Sequence, residues 1–181
     1  MKGVVFNILE GLIVEEFGDV IMEEIYSSVQ FSGDVLPFVG PESYPDSDLF
    51  AMVGYLSDKT SIPVDDLVFE FGKYMLPVFY QNYPVFFENM NSPIEFLKTV
   101  NDIIHVEVKK LFEDATPPII IVEQENEKRV TLKYYSERKL CRLLEGLLEG
   151  LALHFNKEVS YTHKECMKTG ADQCVYSINF Q

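Results

Sequence analysis

Positive charge is what this sequence has little of. It sets 15 Lys and Arg against 29 Asp and Glu, a formal net charge of −14. A nucleic-acid binder needs a basic footprint to neutralise phosphates, and an anionic membrane surface also selects cations. Neither partner suits this balance. A solvated acidic surface does, or a basic protein partner. Long apolar runs are missing too, and none approaches the roughly 20 residues of a membrane span. The first apolar stretch is broken by Glu10, Glu15 and Glu16, and no small-residue cleavage site follows, so it does not read as a signal peptide. Cysteine is scarce and odd in number, with three residues. Without a signal sequence, that points to a reducing, cytoplasmic setting and to thiols or metal rather than a disulfide framework. Internal repeats, linkers and low-complexity tracts are absent. What is present is 181 residues with 47% hydrophobic and 13% aromatic content. That is enough for one globular domain with a sizeable core.

Hydrophobic spacing sets the elements. Residues 2–17 read as a helix, with Val5, Ile8, Leu9, Leu12 and Ile13 at helical intervals. Val4, Phe6 and Val14 widen the stripe almost all round, so the helix is either an inner packing helix or the wall of a ligand cavity. Gly18 can end it, and Asp19 can cap a second helix to about residue 29. Residues 30–45 hold Gly33, Pro37, Gly40, Pro41 and Pro45 and read as a loop. A third helix covers 46–60, with Leu49, Phe50, Val53 and Leu56 on one face. A fourth starts at Pro63 and runs to about 73. Pro77 and Pro84 then break an aromatic stretch into short helical pieces that place Phe79, Tyr83, Phe86 and Phe87 in a core.

Ser92-Pro93-Ile94-Glu95 is a capping box with proline at the first helical position. Along the helix it starts, Phe96, Val100, Ile103, Ile104, Glu107 and Leu111 share one side. His105 falls away from that stripe, beside Asn101, Val108 and Phe112. By pattern alone such a histidine is solvated or structurally hydrogen-bonded more often than it is a ligand. Pro117-Pro118 ends the helix. Residues 119–123 and 129–135 form a hairpin of β-branched and alternating residues. A leucine helix spans about 137–155, with Leu140, Leu143, Leu144, Leu147, Leu148 and Leu151 on its apolar face and Arg142, Glu145 and Glu149 facing water. His154 reads as a surface residue near its end. Residues 157–163 and 174–180 alternate as two last strands. Helices first and paired strands later give an α+β architecture. The expected division is an N-terminal helical part, 1–62, and a sheet-bearing part, 63–181.

Two constellations can carry chemistry. In the first, His163-x-x-Cys166-x7-Cys174 gathers a histidine and two cysteines at a strand end and turn, and Cys141 on the preceding helix can add a fourth ligand. Three thiolates and an imidazole suit a closed tetrahedral structural zinc site. Plain buried thiols and a Cys166–Cys174 disulfide remain open on the pattern. In the second, His105 stands upstream of Tyr134, Ser136 and Arg138. A haem offers an axial iron position to an imidazole and presents two carboxylates at its edge. An arginine pairs bidentately with a carboxylate, and two hydroxyls add donors. The Cys-x-x-Cys-His pattern is absent, so any haem is non-covalent.

The opening MKGVVFN, the helical His105, the ATPP corner and the YYSER run, followed by a glycine-bearing leucine helix, resemble bacterial H-NOX (haem nitric oxide/oxygen binding) proteins along the whole chain. The resemblance implies that His105 is the proximal ligand of a haem b. It implies that Tyr134, Ser136 and Arg138 hold the propionates, and that Pro118 presses on the haem. It matches Val5, Leu9, Phe79, Leu143 and Leu147 to the distal pocket. These are all apolar, which argues against a haem enzyme. Members that hold O₂ place a tyrosine where this chain has Leu143, so the resemblance implies a sensor of NO and CO that excludes O₂. Tyr74, Tyr80 and Tyr83 are the other hydroxyls to be placed. It further implies zinc on Cys141, His163, Cys166 and Cys174, with oxidant sensing as a second input. The expected partner is a separate histidine kinase, otherwise a cyclic-di-GMP enzyme. The competing reading is a haem-free, zinc-stabilised redox or small-molecule binding module.

Overall fold

The computed structural model describes residues 1–32 and 36–181; Gly33 of the expected loop lies outside the described residues. The chain forms two compact units, Met1–Phe71 and Gly72–Gln181, divided within the fourth helix. Helices come first and a four-stranded antiparallel sheet last, the α+β order expected.

The first unit contains α1 (Gly3–Phe17), α2 (Asp19–Ser28), α3 (Asp46–Thr60) and the start of α4 (Val64–Asn82). α1 buries Phe6, Ile8, Leu9, Leu12 and Ile13, but Val14, expected to widen the stripe, is 38% exposed. Gly18, at φ 87°, ends α1 and takes the N-cap place of α2 that was expected of Asp19. Asp19 instead sits in the first turn, where its charge favours the helix N-terminus. In α3 the inward residues are Leu49, Met52, Val53 and Leu56, while Phe50 is 39% exposed. The i, i+3, i+4, i+7 series from Leu49 passes through Met52 and leaves Phe50 off the face. Buried Asp48 fastens the preceding loop, accepting from the Ser32 hydroxyl at 2.6 Å and the Ser32 N–H at 3.2 Å.

In the second unit, α4 runs on through Pro77 to Asn82 instead of breaking there. The proline costs one N–H, the donor that would serve the Lys73 carbonyl. That carbonyl faces Gly150 of α7 (Cys141–His154): a Cβ on Gly150 would stand 2.8 Å from it. Gly72 approaches α7 more closely still, since its Cβ would meet the Leu143 carbonyl oxygen at 2.2 Å. The two glycines allow α4 and α7 to touch backbone to backbone. Of the aromatic stretch, Phe87 is buried, Phe79 and Phe86 pack against the core, and Tyr83 stays exposed.

Half of the expected capping box forms: Ser92 Oγ accepts from the Glu95 N–H at 3.2 Å, opening α5 (Pro93–Thr99), while the Glu95 carboxylate accepts from the Asn91 N–H at 2.8 Å, one residue before the cap. A π-helical turn, Val100–Ile104, then leads into α6 (His105–Leu111). A π turn holds an extra residue and so rotates everything after it. The expected single stripe is therefore broken. Ile103 is 51% and Leu111 69% exposed, while Val100 and Ile104 still touch the core.

The sheet has the order β1-β2-β4-β3, with β1 Ile119–Gln124, β2 Arg129–Tyr135, β3 Val159–Glu165 and β4 Cys174–Phe180. β2 buries Val130, Leu132 and Tyr134, and β4 buries Cys174, Tyr176, Ile178 and Phe180, all in one core with Leu144, Leu148 and Leu151 of α7. α7 starts at Cys141, four residues later than its leucine pattern suggests, because Lys139 has φ 51° and a left-handed residue cannot continue a helix.

Candidate functional site

His105 opens α6 directly after the π turn, and its ring is half-buried instead of solvated. It lines a cleft of about 280 Å³ with Asn101, Asp102, Val106, Lys109 and the segment Pro117-Pro118-Ile119. Burial first, and then the charge of Lys109, pull its pKa down to about 4. The imidazole is thus neutral near neutral pH, with a lone pair available to a metal. Pro118 has no N–H, so it is the proline carbonyl that faces the ring and favours its proton. Nδ1 is nonetheless buried without a hydrogen bond of good geometry.

Tyr134 is the last inward residue of β2 and Ser136 is buried just beyond it, the shared side that their alternation implies. Burial pushes the Tyr134 hydroxyl up to about 12, so it remains a donor. Arg138 lies in the following turn and not in strand register. Its backbone N–H donates to the Ser136 Oγ at 3.3 Å, while its guanidinium donates to the Thr116 carbonyl at 2.8 Å and the Thr116 hydroxyl at 2.9 Å. Thr116 precedes the proline pair, and Ile120 pairs with Tyr134 across the hairpin. The segment facing His105 is therefore tied twice to the Tyr-x-Ser-x-Arg segment. Sequence reasoning missed Thr116, which carries no signal beyond its place before the prolines. A neutral imidazole with an unsatisfied buried nitrogen, two hydroxyls and a fork of guanidinium donors fit a haem.

The remaining haem candidates are also placed. Leu143, Leu147 and Phe79 are half-buried in the second unit; in the first, Leu9 is buried and Val5 half-buried. Tyr80 packs its ring on His154 at 4.5 Å and on Phe87 at 5.3 Å. His154 is the exposed last residue of α7, as expected.

The three cysteines meet, and all are free thiols. Their sulfurs lie within 4.8 Å of one another, with Cys141 and Cys166 3.9 Å apart. Tetrahedral thiolates at about 2.3 Å from zinc stand about 3.8 Å apart, so this spacing suits the ion. Burial first, and then the neighbouring Cys166, push the Cys141 thiol up to about 12; burial also raises Cys174. A dication reverses that penalty by stabilising thiolates, and the Met167 N–H already points at Cys174 Sγ from 3.3 Å. Among the described residues the cluster is made of these three sulfurs, and His163 stands outside it. His163 Nδ1 lies 3.2 Å from Glu145 Oε1, and its buried Nε2 has no partner. Glu145, expected to face water, is 4% exposed. The signal was its position one turn after Cys141, on the same helix face.

An α+β fold that sets a neutral, half-buried imidazole beside a proline pair, and ties that pair to a Tyr-x-Ser-x-Arg segment, fits a haem-based gas-sensing domain. The Haem-NO-binding family model matches residues 2–163, and the chain belongs to that family, the H-NOX domains, which are gas sensors and not enzymes. It is 31% identical to an H-NOX protein from S. oneidensis in the Fe(II)NO ligation state, with a TM-score of 0.92 over 100% of this chain and 99% of that one. The H-NOX domain from Shewanella oneidensis in the Fe(II)CO state gives 30% identity and a TM-score of 0.91, covering 100% and 99%. The Fe(II) unliganded H-NOX protein from K. algicida gives 26% and 0.89, covering 100% and 97%. Comparison with curated proteins gives no match. No helix among the described residues is long and apolar enough to cross a membrane.

Proposed function

We propose that the chain holds one non-covalent haem b, senses NO and CO, and excludes O₂. The observation that carries this is the neutral, half-buried imidazole of His105 facing the Pro118 carbonyl at the cleft. When bound, a haem would supply a ferrous iron able to take a diatomic gas. His105 would ligate that iron, and Tyr134, Ser136 and Arg138 would hold the propionates. Leu143, Leu147 and Phe79 are the apolar haem contacts in the second unit, and Val5 and Leu9 carry the same assignment by family likeness. Partly negative bound O₂ needs a hydrogen-bond donor, and Leu143 offers none. The Tyr80 ring packs on His154 and Phe87, and the residue is exposed. NO needs no such donor.

The signal starts at His105. NO would favour a state in which this imidazole is released, and that difference in ligation would move the equilibrium. A freed His105 would release its hold beside Pro118, and the hairpin tied through Thr116 and Arg138 could relax. The receiver is a separate histidine kinase or, failing that, a cyclic-di-GMP enzyme. Zinc on Cys141, His163, Cys166 and Cys174 is the proposed second centre, supported by the sulfur spacing. Oxidation of those thiolates, with loss of the metal, is a second input.

The test is the visible spectrum of the reduced protein under argon, air and NO. The expected Soret band ignores air and moves to shorter wavelength with NO. A stable oxy spectrum rejects O₂ exclusion. Absence of a Soret band after haem is added leaves the haem-free zinc module.

A further inference from the structure

Glu145 is a carboxylate in a place where carboxylates are costly. It is held from three sides. The Arg142 guanidinium donates to Oε2, the Tyr176 hydroxyl donates to Oε1 at 3.1 Å, and His163 Nδ1 lies 3.2 Å from the same Oε1. An ion pair with Arg142 alone would account for the burial but not for the histidine. His163 is fixed twice. Its Nδ1 meets the carboxylate, and its face lies on the Tyr176 ring with centroids 4.0 Å apart and planes 21° from parallel. Its Nε2 is buried without any partner, which a merely structural histidine has no reason to be.

The place of this group in the fold completes the argument. Glu145 is one helical turn after Cys141 on α7. Tyr176 is two residues after Cys174 on β4, on the same buried face. His163 pairs with Tyr176 across the β3–β4 ladder and is three residues before Cys166. Carboxylate, phenol and imidazole thus form a layer next to the thiols, supplied by the same elements.

Resting on the zinc reading above, we propose that Glu145 is a positioning residue for the metal site. It accepts the Nδ1 proton of His163 and so fixes the tautomer and ring orientation that leave Nε2 as the fourth ligand beside Cys141, Cys166 and Cys174. A carboxylate behind a ligating histidine holds the ring and raises its basicity, and losing it typically costs ten- to hundredfold in metal affinity.

The test uses the full chain with ¹⁵N-labelled histidine, loaded with ¹¹³Cd in place of zinc. In the wild type, Nε2 of His163 is expected to show coupling to cadmium, while Nδ1 keeps a slowly exchanging proton. Cadmium on Nδ1, or on the thiols with no coupling to His163, overturns the inference and leaves a thiol metal site standing. Failure to take up cadmium or zinc at all defeats the zinc reading and this inference with it. Two variants then separate charge from geometry. Glu145→Gln keeps an acceptor and should keep Nε2 ligation with about tenfold weaker zinc binding, and Glu145→Leu should fall toward a hundredfold with fast exchange at Nδ1. Equal zinc affinity in both variants and wild type rejects the role. Should Glu145→Leu not fold, the wild-type spectrum decides the matter by itself.

Discussion

Arg138 places its guanidinium on Thr116, with the carbonyl at 2.8 Å and the hydroxyl at 2.9 Å. A planar fork so anchored has lost much of its rotamer freedom before any propionate arrives, and a pre-organised donor binds its carboxylate more tightly. Hydrogen bonds to charged groups contribute about 1.5–3 kcal/mol each. Arg138→Leu should therefore speed haem loss by about ten- to a hundredfold, read as transfer to a haem-free scavenger protein, with Arg138→Lys in between. An unchanged rate in Arg138→Leu removes the clamp role. In the first unit, Glu10 poses a different residue-scale problem. Burial raises its carboxyl above the ordinary 4.5, and the hydrogen bond from the Tyr26 hydroxyl offsets only part of this. The folded state then binds this proton more tightly than the unfolded state does. Stability from Glu10 is present at low pH and is lost as pH rises from 4.5 through the raised value. Glu10→Gln keeps an acceptor for Tyr26 and cannot ionise. Its melting temperature relative to wild type should climb between pH 4.5 and neutrality. A difference that stays flat or falls contradicts the assignment.

At the scale of elements, the touching backbones of α4 and α7 set the tightest constraint. A Cβ at Gly72 would stand 2.2 Å from a backbone oxygen that cannot turn aside. Gly54, inside α3, has open space around it. Overpacking costs about 1–3 kcal/mol, and one kcal/mol moves the melting point of a chain this size by about 2–4 °C. Gly72→Ala should lower the melting temperature by about 2–12 °C, whereas Gly54→Ala, which only gains helix propensity, should raise it slightly. Similar shifts at both positions would mean that the close crossing does not exist. Such crossings were not legible in the sequence, because a helical glycine looks the same whether space or a carbonyl lies beside it. The same holds for Pro77, whose lost hydrogen bond did not stop α4. The π turn before His105 was hidden for a related reason. A 3.6-residue period fitted straight through 100–104 predicts a stripe that one extra residue rotates away. What local chemistry fixes was readable: the Ser92 cap, the glycine stop at Gly18 and the antiparallel strands with their alternating burial.

On the scale of the whole molecule, each of the two units has its own core. The first is built on Phe6, Ile13, Ile25 and Met52, the second on Leu132, Leu148, Tyr176 and Ile178. The meeting of Cys141, Cys166 and Cys174 was legible because cysteine is rare enough to stand out, whereas His163 lies outside their cluster. The sequence misplaced Glu145 because one charged residue on an amphipathic helix reads as surface until its partners are known. The thiol cluster belongs wholly to the second unit, where it gathers the start of α7, the turn after β3 and the start of β4. A metal there links segments that lie 25 and 8 residues apart in sequence, counting 141 to 166 and 166 to 174. Bound ligand stabilises the state that binds it by about 4 kcal/mol at a thousand times its dissociation constant. Chelation of zinc under reducing conditions should therefore speed amide exchange by tenfold or more in β3, in β4 and in the first turn of α7. Amides of α1, α2 and α3 should keep their rates, because their core holds none of the ligands. Equal acceleration in both units would show that they open as one cooperative body. Unchanged exchange everywhere, with the chelator in excess, would show that the thiols carry no metal that the fold depends on.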